Sequence, residues 1–259
     1  MATNVTPDTL RATMLAGFAN MPELAGIISD DQILDRQINA AVAWVERSLS
    51  TRFTVTRMRG WFGPGAKPTA GAGEEYESCY DYPGRYPGDG YQRFVTRVRP
   101  IKEFLGGQIK LPGVTFAVAD LPVEWFRFQE FGELMMAPAM FGAPFVSSAA
   151  LQSLVGFSRG RLPQAVLLDY RAGLDDEDLQ RWPQLDRLVE LKATDLLLPA
   201  FSNAMNPEAI ANESADGLSQ SRSSNFVYKD LHDHFESEMT KEVNTLRAMW
   251  EGPSDLVVL

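Results

Sequence analysis

Apolar residues recur every three or four positions near both ends of the chain, which is the spacing of one helix face. In the N-terminal part, residues 6–18 predict a short helix with Thr6 as its cap and Pro7 at its first position. A capping box at residues 29–32 predicts the start of a longer amphipathic helix that continues to Leu49. The pattern therefore predicts two helices in the first 50 residues.

The chain is organised around residues 183–201, whose apolar positions cover most of a helical circumference. Such a segment predicts a central helix that other helices enclose. Pro199 is expected to end or kink it, because an interior proline removes a backbone hydrogen bond. A final helix is predicted from about Phe226, with Trp250 on its apolar face, and Gly252 and Pro253 stop it.

Between these regions the period changes from about 3.6 to 2, which favours β-strands. The candidate strands are residues 52–58, 92–98, 114–118, 123–128, 132–136 and 165–170. They imply an antiparallel β unit. Residues 62–91 are rich in Gly and Pro and predict a long surface loop, whereas residues 137–160 are apolar enough to pack against another surface.

The predicted fold class is α+β, in which a discontinuous helical bundle is interrupted by an antiparallel β-rich insertion. Residues 1–50 and 171–252 form the bundle, residues 51–170 form the insertion, and residues 253–259 form an extended tail. Residues 203–224 are polar and predict a long connection that only a partner orders.

The net charge is −10, and the charged residues are unevenly distributed along the chain. Residues 51–110 contain ten basic and six acidic side chains, whereas residues 175–259 contain seven basic and seventeen acidic ones. Tight sequence-specific DNA binding by the acidic part is disfavoured, because phosphate contacts need clustered Lys and Arg. The lone Cys79 excludes an internal disulfide, and we expect an intracellular setting with no signal peptide and no membrane span.

One motif suggests catalysis: residues 156–160 match G-x-S-x-G, with Ser158 as a nucleophile and His232 or His234 as a possible base. That motif needs a helix after the serine, whereas a strand-like segment containing Pro163 follows here. A serine esterase is therefore the less favoured reading, and we expect the protein not to be an enzyme.

Metal and cofactor signals are equally weak. His232 and His234 are two residues apart, so on a helix they point in different directions. The acidic residues 74, 75, 77, 81 and 89 do not match a calcium loop, and a solvated loop is the commoner explanation. Residues 63–68 depart from the phosphate-binding loop in spacing. We predict no metal and no cofactor.

A set of basic residues with aromatic neighbours could indicate a nucleic-acid face. Its members are Arg57, Arg59, Arg93, Arg97, Arg99 and Lys102, with Phe53, Trp61 and Phe94 between them. The outer face of a half-buried sheet produces the same pattern, and this explanation is favoured.

Several segments, in this order, resemble the head-to-tail connector (adaptor) proteins of long-tailed bacteriophages. The segments are residues 9–46, 98–101, 166–173, 185–198, 216–221 and 226–251. Members of that family are helical bundles, often with a β insertion, that form a usually twelvefold ring beneath the portal protein. The resemblance implies a structural virion protein of the neck, made in the host cytoplasm, through which double-stranded DNA passes without sequence-specific binding.

The resemblance also implies partner-binding residues. We assign the portal or neck interface to Trp250 and the tail residues Leu256, Val257, Val258 and Leu259. Loop contacts are assigned to Asp216, Gly217, Leu218, Ser219 and Gln220, and an insertion-loop interface to Met140, Phe141 and Phe145. Other neck or tail-completion proteins are further expected partners. A tail-completion or tail-terminator ring protein is the alternative reading, with different neighbours but the same ring.

Overall fold

The computed structural model describes residues 3–61, 68–82, 92–109, 119–129, 131–136, 162–205 and 228–251. Its contacts divide the chain into two compact units, one of residues 1–49 with 176–259 and one of residues 50–175. Helices lie at both ends of the chain and the middle is rich in strands, so the fold class is α+β. The segment 171–175, which the sequence pattern assigned to the bundle, belongs to the β unit.

The helical unit contains six α-helices within the described residues. They are α1 (Pro7–Thr13), α2 (Ala25–Ser29), α3 (Asp31–Leu49), α4 (Asp176–Arg181), α5 (Gln184–Met205) and α6 (Lys229–Glu251). α3 and α6 pack against α5, whose buried residues lie on all sides of its axis. The prediction of a central, enclosed helix is confirmed.

Helix starts differ slightly from their predicted positions. Thr6 caps α1 as expected, since its side chain accepts the Thr9 amide N–H, but the α-helix ends at Thr13 and a separate 3₁₀ turn follows. The predicted capping box at residues 29–32 is wrong in register. The Asp30 carboxylate accepts the backbone N–H of Gln32 at 2.9 Å and caps α3, because Ser29 is still the last residue of α2.

Of the two outcomes predicted for Pro199, an end or a kink of the central helix, the end is wrong. α5 continues to Met205, and Pro199 lies inside it on an exposed position. The exposed position leaves room for the proline ring, although its missing N–H removes the usual hydrogen bond to the backbone carbonyl of Asp195.

Pro199→Ala should therefore stabilise the helical unit. Alanine restores an i to i−4 hydrogen bond, and interior proline costs about 3 kcal/mol relative to alanine. The more flexible unfolded chain offsets about 0.4–1 kcal/mol of that gain. We expect a net increase of about 2–2.5 kcal/mol in the free energy of unfolding, measured in urea. A decrease would show that α5 needs the proline.

The β unit contains nine strands within the described residues. They are β1 (Thr56–Trp61), β2 (Glu74–Ser78), β3 (Tyr80–Tyr82), β4 (Gln92–Val95), β5 (Ile101–Ile109), β6 (Ala119–Leu121), β7 (Phe126–Gln129), β8 (Glu133–Met136) and β9 (Leu162–Ala172). One sheet has the order β2-β1-β9-β5-β6, with β3 also paired to β9, and the other has the order β4-β8-β7. Pairing is antiparallel except between β1 and β2.

Two predictions about this unit are wrong. Residues 74–82, predicted as part of a surface loop, form β2 and β3, and residues 101–109 form the long strand β5 although no strand was predicted there. The predicted strand 114–118 lies outside the described residues. The buried faces of the two sheets share one apolar cluster, in which the Phe104 and Phe126 rings lie 4.4 Å apart.

β9 is the central strand of the larger sheet, and its end depends on a glycine. Gly173 has φ +126°, and a Cβ added there would lie 2.4 Å from the backbone oxygen of Thr54. Only glycine allows this close approach of two backbones. The contact brings the end of β9 against the chain that leads into β1.

Candidate functional site

Most residues assigned to interfaces from the sequence lie outside the described residues. This applies to Met140, Phe141, Phe145, residues 216–220 and the tail residues 256–259. The assigned residue that the structure describes is Trp250. Its side chain is 2% exposed, and its ring lies 5.5 Å from that of Trp182 inside the helical unit. A partner contact through Trp250 would therefore require this packing to open.

The serine of the esterase motif, Ser158, also lies outside the described residues. His232 and His234 lie on α6 and point in different directions, as the sequence predicted. His232 hydrogen-bonds Asp195 on α5, whereas His234 Nε2 lies 3.8 Å from Glu238 Oε1 on its own helix. The two histidines thus belong to different groups of side chains.

The most concentrated polar chemistry of the helical unit surrounds Asp195. This aspartate is 5% exposed on the central helix α5. Its Oδ2 accepts the Lys192 ammonium at 2.7 Å, and its Oδ1 accepts the Nδ1–H of His232. The Lys192 Nζ also lies 5.4 Å from the centre of the Trp44 ring, a cation–π contact. Asp195 thus joins side chains from α5 and α6, while Lys192 also contacts α3.

Beside this group, three side chains on α6 bring potential metal ligands together. His232, Asp233 and Glu236 each offer one ligand atom, and these atoms all lie within 4.8 Å of one another. The sequence prediction considered only the spacing of the two histidines and therefore missed this set. The signal that could have found part of it is the i, i+4 spacing of the His232 imidazole and the Glu236 carboxylate on a predicted helix.

The β unit contains a second buried polar group, built on Glu77 of β2. This carboxylate is 5% exposed, and its Oε2 accepts the hydroxyls of Tyr80 at 3.0 Å and Tyr170 at 3.1 Å. Burial raises the pKa of both tyrosines, so both keep their protons and can donate. The Arg97 backbone N–H donates to the Tyr80 hydroxyl at 3.0 Å. The group connects β2, β3 and β9.

The acidic residues assigned to a solvated loop thus have defined roles in strands. Arg52 holds Glu75 through two hydrogen bonds of 2.9 and 2.7 Å, and Asp81 accepts the Gln164 backbone N–H at 2.9 Å. Glu74 lies 3.5 Å from Arg57. The loop prediction for these residues is wrong, and Asp89 lies outside the described residues.

Several basic residues of the insertion pair with acidic side chains, whereas Arg97 donates to the backbone carbonyl of Cys79. Arg57 donates to both oxygens of Asp169 at 2.9 and 2.7 Å, and the pairing raises the pKa of the guanidinium. Lys102 pairs with Asp175 at 2.8 Å, and Arg93 with Glu133 at 3.6 Å. These pairs favour the sheet-face explanation over a nucleic-acid face, because a phosphate would have to compete with each carboxylate.

A cavity of about 510 Å³ opens on the larger sheet where glycines leave room beside β9. Gly60, Gly106 and Gly107 line it together with Leu167, and its polar lining includes Asp120 and Asp169. These carboxylates already accept hydrogen bonds, Asp120 from Gln108 and Asp169 from Arg57. These two carboxylates of the cavity are therefore already engaged as hydrogen-bond acceptors.

Comparison of the chain with protein-family models and with curated proteins finds no match. Among the described residues, no helix is both long and apolar enough to cross a membrane. Function therefore has to be argued from the architecture, the charges and the resemblance noted above.

Proposed function

We propose that this protein is a structural component of the neck of a tailed bacteriophage, where copies form a ring that joins the portal vertex of the head to the tail. The observation that carries the proposal is the architecture. Both ends of the chain fold into one helical unit around α5, and a β-rich unit of residues 50–175 is inserted between them. Connector proteins, which several segments of the sequence resemble, often have this interrupted organisation.

The charge of the two units supports assembly with a second copy. The helical unit, residues 1–49 and 176–259, has ten basic and twenty-two acidic residues, whereas the inserted unit has fourteen basic and twelve acidic residues. A closed ring needs two different complementary surfaces on each subunit. Opposite net charges on two units supply complementarity of this kind, and they suppress contacts between like surfaces.

The same charge suits the passage of DNA. A lumen lined by the acidic unit repels the phosphate backbone, so that the duplex slides instead of binding. In this proposal the ring, twelvefold as in the family it resembles, contacts the portal protein and other neck proteins. The protein acts in the virion and has no catalytic role.

The first test is the mass of the assembled protein. Twelve copies of the 28.8 kDa chain give a particle of about 346 kDa, which mass photometry separates from the monomer. We expect a discrete closed oligomer that weakens when salt is raised from about 0.05 to 0.5 M, because exposed charge pairs are screened. If the oligomer did not weaken with salt, charge complementarity would not hold the subunits together, but the proposal of a ring would stand.

The second test is the position of the ring in the particle. Cryo-EM of necks that contain the protein should place its density directly beneath the portal. A ring at the tail end of the neck would instead identify a tail-completion protein, and density for a single copy would refute the ring.

A further inference from the structure

The arrangement on α6 combines an imidazole with two carboxylates in the first two turns of one helix. His232 and Glu236 are four residues apart and lie on the same side of the helix, and the observed distances place a ligand atom of Asp233 within 4.8 Å of a ligand atom on each of them. Two ligands that each lie about 2.1 Å from one ion are at most about 4.2 Å apart. Small rotations of the exposed Asp233 and Glu236 side chains close the observed distances of up to 4.8 Å.

An independent observation comes from a different helix. The buried Asp195 on α5 accepts the Nδ1–H of His232, and Lys192 holds the other carboxylate oxygen at 2.7 Å. In neutral imidazole a proton on Nδ1 leaves the lone pair on Nε2. A buried carboxylate that orients a histidine in this way is the usual outer-shell arrangement around metal-binding histidines.

We propose that His232, Asp233 and Glu236 bind one divalent transition-metal ion, with Asp195 as the residue that positions the imidazole. Nε2 of His232 and one oxygen of each carboxylate bind the ion, and water completes the coordination. An imidazole nitrogen favours Zn²⁺ and its neighbours over Mg²⁺ and Ca²⁺, which prefer oxygen ligands alone.

The electrostatics of the helix end agree with this assignment. The N-terminus of a helix carries roughly half a positive charge, which opposes a cation. Asp230, Asp233 and Glu236 place three carboxylates in the same two turns and outweigh it. This site is independent of the neck function, since it lies within one helical unit and needs no second copy.

The experiment is a calorimetric titration of Zn²⁺ into full-length protein that carries no affinity tag and has been treated with EDTA. We expect one ion per chain. His232→Ala should reduce the affinity by more than about 100-fold, because the loss of a ligand costs more than the loss of an outer-shell group, which costs about 10–100-fold. His234→Ala is the matched control, because it removes the neighbouring histidine outside the set, and it should bind as the wild type does.

Two further variants separate a metal site from nonspecific binding. Asp233→Asn with Glu236→Gln should lose the ion while circular dichroism shows the same helix content. Asp195→Asn should weaken binding about tenfold and alter the visible spectrum of bound Co²⁺, which reports ligand geometry and not stability. Absence of stoichiometric binding by the wild type, or equal binding by His232→Ala, would overturn the proposal.

Discussion

Replacing Phe201 with alanine should destabilise the helical unit by about 3–5 kcal/mol, the range for removal of a buried phenylalanine. Phe201 is 0% exposed on α5, and its ring lies 5.2 Å from that of Phe18 and 6.5 Å from that of Tyr228. The two neighbours come from separate parts of the chain, so the cavity cannot close by moving one side chain. The loss should appear as faster amide exchange of α5 and α6 peptides.

Phe128→Ala is the control for this change, because the same side chain is removed from a position that is 43% exposed. We expect it to cost less than about 1 kcal/mol in urea unfolding. Similar losses for Phe201→Ala and Phe128→Ala would mean that α5 is not the enclosed centre of the helical unit.

Replacing Glu77 with alanine should destabilise the β unit by about 2–4 kcal/mol, since it removes the shared acceptor of two buried hydroxyls. The Tyr80 and Tyr170 oxygens lie 3.2 Å apart, so one hydroxyl can donate to the other after the change. The other hydroxyl then has no acceptor in place of Glu77 at a buried position, which is unfavourable. The removed side chain also leaves a void. Urea unfolding, with amide exchange of β9 peptides, measures the effect.

Glu75→Ala is the matched control, because it makes the same substitution two positions away in the same strand. The Glu75 side chain is 42% exposed and pairs with Arg52, so its loss should cost at most about 1 kcal/mol. Glu77→Gln should fall between the two, since an amide oxygen still accepts from the hydroxyls. If Glu77→Ala were as stable as Glu75→Ala, the buried group would not hold β2 and β3 to β9.

Local pattern predicted the long helices α3, α5 and α6, because helical periodicity depends on neighbours three and four residues away, but it did not predict the short helices α2 and α4. The apolar positions of α3, α5 and α6 are the buried ones in the structure, including Leu34, Leu188 and Leu246. It failed for β2, where three glutamates in five residues look like a loop. Those glutamates are stable in a strand because Arg52, Arg57 and two tyrosines lie opposite them. All of these partners except Tyr80 are distant in sequence.

The candidate metal site shows the same limit. The spacing of His232, Asp233 and Glu236 can be read from the sequence, but their significance depends on Asp195, thirty-seven residues earlier on another helix. Only the packing of α6 against α5 brings that carboxylate to the imidazole. A sequence search that compares histidines with each other cannot recognise such an arrangement.

The fold class, the central helix and the interruption of the helices by a β-rich segment can be predicted from the amino-acid pattern, because hydrophobic period and helix capping are local properties. The tertiary structure decided which strands pair, where Pro199 lies relative to solvent, and which buried charges meet. Those outcomes depend on groups that folding brings together from distant positions, and a buried carboxylate such as Glu77 or Asp195 is stable only once its donors are in place.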